Sequence, residues 1–402
     1  MKKICFLVGS MDISGGTYVI VQHASYLKEQ GYDIVMAVQS PFNEDTLKWH
    51  DKASLLNCLA FDEAKSLEFD LVVATWWKTA IHLHEFTAQH YGYFVQSIES
   101  KFYSKGQDLL VNYVDSTYKL PVNMVTEASW IKQHLEQKFG QHAALVKNGI
   151  RKDIYHASNE DDRTGFRVLV EGHFGVPFKN TALAVKLAKE ANVEDIWVLT
   201  GSPIKWLPGV SKVYSQIPMS ETAEIYRKCD VILKLSTVEG MFGPPLEMFH
   251  CGGTAIVFDV SGHDEYIVDD YNACVVKNKS IDDVRRLILE LKANPDKLNR
   301  LKQGALTTAS NWPDWDIASQ HFTNWVERVL EQPVNNSVQS DIKSLNERHD
   351  KDFRNSDGQS FKSPSLVLFV KRVLHHMPRP IKSAFKYIEA ILEVLSKKRV
   401  VR

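Results

Sequence analysis

The sequence holds no CxxC pair, no long apolar run, no strong net charge and no GxGxxG glycine fingerprint, and each absence removes a class of protein. Its five cysteines (Cys5, Cys58, Cys229, Cys251 and Cys274) are odd in number and scattered. That argues against a disulfide framework or a structural zinc site and fits a reducing compartment. The opening stretch MKKICFLVGSMDISGG is basic, but its apolar run from Ile4 to Val8 is too short for a signal-peptide core. No stretch approaches the ~18–20 apolar residues of a membrane span. With 48 Lys and Arg against 49 Asp and Glu, the net charge of −1 gives no electrostatic reason to expect nucleic acid as a partner. VGSMDISGG lacks the spacing of a dinucleotide-binding turn, which argues against a dehydrogenase. The expectation is a cytoplasmic protein.

What is present is an alternation of apolar strands and amphipathic helices over a chain of 402 residues, enough for two domains and an appendage. KKICFLVG, DIVMAVQ, FDLVVATWW and YGYFVQSIE read as buried strands, and GTYVIVQHASYLKEQGY as a helix ending at Gly31. After a polar stretch near residue 155 the alternation restarts with FRVLVEGHF, DIWVLTGS, DVILKLST and GTAIVFD as strands. Such patterns predict an α/β fold of two Rossmann-like, doubly wound domains facing a cleft, with ligands beyond the carboxyl ends of the strands. The expected divisions are 1–155, 156–310, a final helix in 311–332, a flexible linker in 333–364 rich in Asn, Ser, Asp and Lys, and a helical tail in 365–402.

The most informative stretch is EGMFGPPLEMFHCGGTAIVFD, from Glu239 to Asp259. Glu239 follows a predicted strand and so stands at a carboxyl edge. Glycine and two prolines then make a turn and start a helix, whose N-terminal dipole and unpaired N–H groups suit a phosphate. Glu247, a short way into that helix, can accept two hydroxyl hydrogen bonds, as from a ribose. Phosphate and vicinal hydroxyls together describe a sugar nucleotide.

This block resembles the E-x7-E region of the retaining GT-B glycosyltransferases of family four, and other landmarks fall in the same order. SGGTYVIVQHASYLKEQGYDIVMAV resembles the first glycine loop, helix and strand, LVKNGIRKDIYH the domain junction, and VLVEGHFGVPFKN the glycine–basic strand end with its downstream lysine. The likeness covers about residues 1–330. YFVQSIESKFY is similar to a subgroup acting on bacterial surface polysaccharides, rhamnosyltransferases included.

The resemblance implies roles position by position. Glu247 would bind the donor ribose and Glu239 the transferred sugar, with backbone N–H groups of Met241, Phe242 and Gly243 on sugar or phosphate. Gly15 and Gly16 would close over the diphosphate, and Lys179 would neutralise it as it leaves. Many members carry arginine after the strand-end glycine, where this chain has Gly172 followed by His173. Histidine can hydrogen-bond a phosphate, which makes His173 a catalytic candidate beside Glu239 and Lys179, but it supplies a full charge only when protonated. Arg151, Lys152 and Lys205 are candidates to compensate. Glu99, Trp76, Trp77 and Lys78 are acceptor-side candidates, each balanced against ordinary packing, with His82 and His84 behind them. No nucleophile is assigned, since the family is thought to use same-face attack aided by the leaving phosphate. Asp314-Trp315-Asp316 imitates a metal motif of another fold but reads as a helix cap, so no metal and no cofactor is expected.

From Phe361 to Arg402 ten Lys or Arg face two acids, Glu389 and Glu393, and apolar residues recur at helical spacing. Basic amphipathic helices favour anionic membranes, which would suit an acceptor carried on a lipid-linked oligosaccharide at the inner face of the cell membrane. Docking on the body or on another subunit is the competing reading. The function expected is a nucleotide-sugar-dependent (dTDP-, UDP- or GDP-linked) hexosyltransferase acting on a surface polysaccharide or lipid-linked glycan. A non-catalytic scaffold of the same fold and a nucleotide-sugar epimerase stay open.

Overall fold

In the computed structural model, which describes residues 1–103, 106–158 and 165–360, the apolar runs read as strands form two all-parallel sheets. Parallel strands are covered on both faces and therefore read as continuous Val, Ile and Leu rather than as alternation. The first sheet contains β1 (Lys3–Val8), β2 (Asp33–Val38), β3 (Asn57–Ala60), β4 (Glu68–Ala74), β5 (Thr87–Val95), β6 (Asn123–Thr126) and β7 (Ala143–Leu145), in the order β3-β2-β1-β4-β5-β6-β7. The second contains β8 (Arg167–Glu171), β9 (Asp195–Thr200), β10 (Lys212–Ser215), β11 (Val231–Lys234), β12 (Thr254–Phe258) and β13 (Cys274–Val276), in the order β10-β9-β8-β11-β12-β13. Each sheet thus grows outward from its first strand and then restarts on the other side. That reversal opens a crevice at the carboxyl ends of β1 and β4, and likewise of β8 and β11.

The two units are Met1–Gly149 with the segment returning from Pro313, and Ile150–Trp312. The boundary falls a few residues before the expected 155, and the final helix belongs to the first unit. That helix, Trp315–Leu330, buries Phe322 against Phe6, Phe94 and a stacked His23 whose ring lies 4.3 Å away. Asp314 caps it, accepting the Ile317 N–H at 3.0 Å, while Asp316 is exposed in its first turn. In the second unit, helices Thr181–Glu190 and Ile281–Ala293 cover one face of the sheet. Met219–Arg227, Gly243–His250 and Pro295–Asn311 cover the other.

The expected linker is corrected over most of its length. Val338–Ser360 is a helix, and it packs on the first unit. Ile342 is fully buried, Asn346 donates to the Ala80 and Ile81 carbonyls at 3.3 and 3.0 Å, and Phe353 stacks on Tyr113. Its polar composition suggested disorder, but Val338, Ile342, Leu345 and Phe353 recur at helical spacing and supply one apolar stripe. No helix among the described residues is long and apolar enough to cross a membrane. The tail expected at 365–402 lies outside the described residues.

Candidate functional site: a carboxylate and lysine cluster at the second sheet's switch point

β8 ends at Glu171 and hands over to Gly172, whose φ of +151° disfavours any side chain and where a Cβ would lie 2.5 Å from Thr181 Oγ1. His173 follows, its imidazole laid so closely on Gly201 that a Cβ there would meet it at 2.3 Å. The chain next makes a turn, Pro177–Lys179, which is tied by hydrogen bonds to the segment after β11. Asn180 Nδ2 donates to the Leu235 carbonyl at 2.9 Å and the Thr237 N–H donates to the Phe178 carbonyl at 2.8 Å. This stitching carries Lys179 to Glu239. Lys179 Nζ donates to both Glu239 carboxylate oxygens, at 2.8 and 2.7 Å.

A second lysine lies beneath. Lys234, the last residue of β11, donates to Glu171 on the neighbouring strand and stands 3.8 Å from Glu239. Burial alone would push the Glu239 carboxyl up, but the charges of Lys179 and Lys234 overcome it and hold it below the ordinary glutamate value. Burial likewise opposes the charge on Lys234, and Glu171 and Glu239 reverse that, keeping it a firm cation. Glu247 is less well compensated. Loss of water pushes its carboxyl up to about 7, with a Tyr226 hydrogen bond opposing and the Glu171 charge assisting the shift.

The helix Gly243–His250 presents fewer donors than its position suggests. Pro244 and Pro245 have no N–H, and the Gly243 N–H is bonded to the Met241 carbonyl at 3.1 Å. Phe242 is fully buried among core side chains, and Tyr266 donates its hydroxyl to the Phe242 carbonyl, fixing the turn. The positive end of the helix dipole remains, and Glu247 stands on the turn's face four residues after Gly243.

Lys179, Glu239 and Glu247 are therefore brought together, and Lys234, Glu171 and Tyr226 join them although the motif reading did not name them. A signal existed. A lysine ending VILK, inside a strand buried on both faces, has to be paired. Of the cations suggested to compensate for the absent arginine, Arg151 pairs with Asp153 at 2.7 Å and Lys152 bonds the Ser310 carbonyl at 3.2 Å.

In the first unit the equivalent crevice gathers Gly16, Gln96 and Trp76. Ser14 caps the helix Gly15–Glu29 by accepting the Thr17 N–H at 3.1 Å, and Gly15 has open space where a Cβ would stand. At Gly16 a Cβ would lie 3.3 Å from Gln96 Oε1, a buried atom without a hydrogen-bond partner. Gln96 is a further residue that the sequence did not single out. Trp76 packs its ring on Gly9, Trp77 is buried, and Lys78 is exposed with its ammonium 4.7 Å from the Trp76 ring centre.

Glu99 is buried. Its Oε2 accepts the Trp77 N–H at 2.9 Å and the Tyr93 hydroxyl at 3.3 Å, bracing the turn that carries Trp76, Trp77 and Lys78. Burial raises its carboxyl to about 8. A folded value above the unfolded one means that the native state holds an extra proton between about 4.5 and about 8, so stability falls as pH rises through that window. Glu99→Gln is expected to flatten that slope in urea unfolding. Glu99→Leu, which strands both donors, is expected to lose about 2 kcal/mol or more at pH 6.

Comparison with known proteins places these observations. Residues 207–307, which include Glu239 and Glu247, match the family model for glycosyl transferases group 1. The chain is 26% identical over 181 residues to an uncharacterised glycosyltransferase of Methanocaldococcus jannaschii, covering 43% of this chain and 50% of that protein. It is 26% identical over 200 residues to the O-antigen biosynthesis protein RfbC of Myxococcus xanthus, covering 47% of this chain and 16% of that protein. It therefore spans half the length or less of these curated relatives. Among solved structures, Anabaena HepE in complex with UDP and glucose superposes with a TM-score of 0.64 at 15% identity, over 82% of this chain and 100% of that one. WaaG, a glycosyltransferase involved in lipopolysaccharide biosynthesis, gives 0.61 at 12% over 82% and 100%. Sucrose-phosphate synthase from Thermosynechococcus elongatus gives 0.62 at 13% over 81% and 99%. At such identities the structural likeness is one of fold. The chain has the two Rossmann-like units of the GT-B glycosyltransferases, and its E-x7-E stretch lies within the segment matched by the group 1 model.

Proposed function

We propose that this chain is a retaining, metal-independent glycosyltransferase that moves a sugar from a nucleotide-diphosphate sugar to a growing glycan. The observation that carries the reading is the grouping of Lys179, Glu239, Lys234 and Glu247 around a helix start at the second sheet's switch point. Lys179 is the most exposed of the cluster's two cations, with 23% of its side chain open against 2% for Lys234, so it is the one able to meet a diphosphate. Glu247 has the position and the partial exposure to accept ribose hydroxyls, and Glu239, though buried, lies beside Lys179 where it would face the sugar. The bond from the anomeric carbon to the phosphate oxygen breaks, and charge gathers on the leaving diphosphate, where Lys179 and the helix dipole stabilise it. The acceptor hydroxyl attacks from the same face, and its proton passes to the departing phosphate oxygen.

A uridine nucleotide is the first donor to test, because HepE was solved with UDP-glucose, with dTDP- and GDP-sugars beside it. The acceptor is proposed to be a surface polysaccharide or a lipid-linked glycan, rhamnosyl or related hexosyl transfer being the subtype favoured by the sequence around Glu99. The O-antigen and lipopolysaccharide proteins among the relatives support that direction. The basic tail at 365–402 is proposed to hold the protein at the anionic inner face of the cell membrane. Sedimentation with anionic vesicles, lost on truncation after residue 360, is the expected result.

The donor site is tested by thermal shift against UDP-, dTDP- and GDP-sugars. One nucleotide class is expected to raise the midpoint of the wild type and to leave Glu247→Ala unmoved. No shift from any donor would return the weight to a non-catalytic scaffold.

A further inference from the structure

Lys234 ends an otherwise apolar strand, and 2% of its side chain is exposed. A buried ammonium is retained in a fold where partners offset its lost hydration. Glu171, across the strand pair, is such a partner. The second carboxylate nearby is the informative one. Glu239, 9% exposed, is already held by Lys179 at 2.7 Å, and still has Lys234 at 3.8 Å. It therefore faces two cations, one sealed into the sheet and one open to solvent.

That arrangement matters once a donor is considered, and here the inference rests on the glycosyltransferase reading. Lys179 bonds both Glu239 oxygens, and turning its ammonium toward a diphosphate gives up part of that pairing. A buried carboxylate that lost its whole counter-charge would take up a proton or hold the lysine back. We propose that Lys234 is the standing counter-charge of Glu239, a positioning residue that keeps Glu239 an anion while Lys179 is handed to the donor's diphosphate. The groups facing this exchange are Glu171 on β8, Lys179 in the turn, Glu247 on the helix, and the phenols of Tyr226 and Tyr266. Neither phenol is an anion at neutral pH, since burial raises both well above the ordinary tyrosine value. Glu171 and Glu247 add only negative charge. Once Lys179 has moved, Lys234 is the cation left beside Glu239 within this cluster.

The test compares wild type, Lys234→Met and the double variant Glu171→Leu, Lys234→Leu. UDP-glucose, dTDP-glucose and GDP-mannose serve as calorimetric probes, with the pH profile of kcat/KM for the donor that binds wild type. Lys234→Met is expected to bind that donor about tenfold or more weakly and to move the acid limb upward by about one pH unit. The double variant removes the stranded Glu171 and restores apolar strand contact. It is expected to recover thermal stability while keeping both defects, and it decides alone if the single variant does not fold. A double variant with wild-type affinity and a wild-type acid limb overturns the proposal, since Lys234 would then serve only to pair Glu171. Wild type that binds none of the three probes removes the reading on which the hand-over rests, and the hand-over with it.

Discussion

Lys179→Ala is expected to lower kcat/KM for donor turnover by about 10²–10³-fold, with most of the loss in kcat. Transfer leaves negative charge on the departing diphosphate, and a preorganised cation aimed at it is worth more in the transition state than in the bound donor. The position of Lys179 is not accidental. The Asn180–Leu235 and Thr237–Phe178 hydrogen bonds hold its turn against the exit of β11. The variant should fold, because Glu239 keeps Lys234 at 3.8 Å as a partner. Steady-state kinetics beside the unfolding midpoint separates the two effects. A variant with unchanged kcat would show that Lys179 serves Glu239 alone.

The second large effect is expected at Glu247. Two hydroxyl hydrogen bonds to a carboxylate, each worth ~1.5–3 kcal/mol, correspond to about 10²-fold or more in donor affinity, so Glu247→Ala should lose that amount and Glu247→Gln somewhat less. The pH dependence has a definite sign. The free carboxyl is raised to about 7, and on the proposed role the ribose hydroxyls would bond its ionised form. Donor affinity should therefore rise with pH through about 7 and level off above it, with a proton released on binding near neutrality. Stability runs the other way. The folded value exceeds the unfolded one, so this contribution is fully present below about 4.5 and is lost as pH rises through about 7. Glu247→Gln should bind donor weakly yet resist urea better than wild type at pH 8. Calorimetry at pH 6 and pH 8 checks the first claim and urea titration the second.

What the sequence disclosed and what it hid differ for a physical reason. The strands were readable because both sheets are parallel and buried on both faces, so ICFLV in KKICFLVG and VIL in DVILKLST appear as runs of adjacent apolar residues. Glu239 and Glu247 were readable because glycine and proline punctuate the turn between them. Lys179 was readable only through resemblance, since the hydrogen bonds that aim it at Glu239 join segments more than fifty residues apart. Lys234 and Glu171 pair across strands that are neighbours in space and distant in sequence, and their partnership needs the register of β8 against β11. Glu99 resembles a ligand-facing acid because it ends the apolar stretch YGYFVQSIE, although β5 stops at Val95 and Glu99 opens the short turn that follows. Its actual partners, the Trp77 N–H and the Tyr93 hydroxyl, depend on tertiary approach. The helix Val338–Ser360 is hidden by a composition rich in Asn, Ser, Asp and Lys. Its apolar positions are few, but they fall on one face.

The central claim is that the cluster at the second switch point breaks a sugar–phosphate bond with retention. Proton NMR of the wild type with its stabilising donor, first without and then with a glycan acceptor, tests it most directly. The account predicts slow release of nucleoside diphosphate alone and faster release with acceptor, the sugar first appearing in the donor's own anomeric configuration. Lys179→Ala should show neither. An inverted anomer in the first product, or a bound donor that is never cleaved with any acceptor, would contradict it.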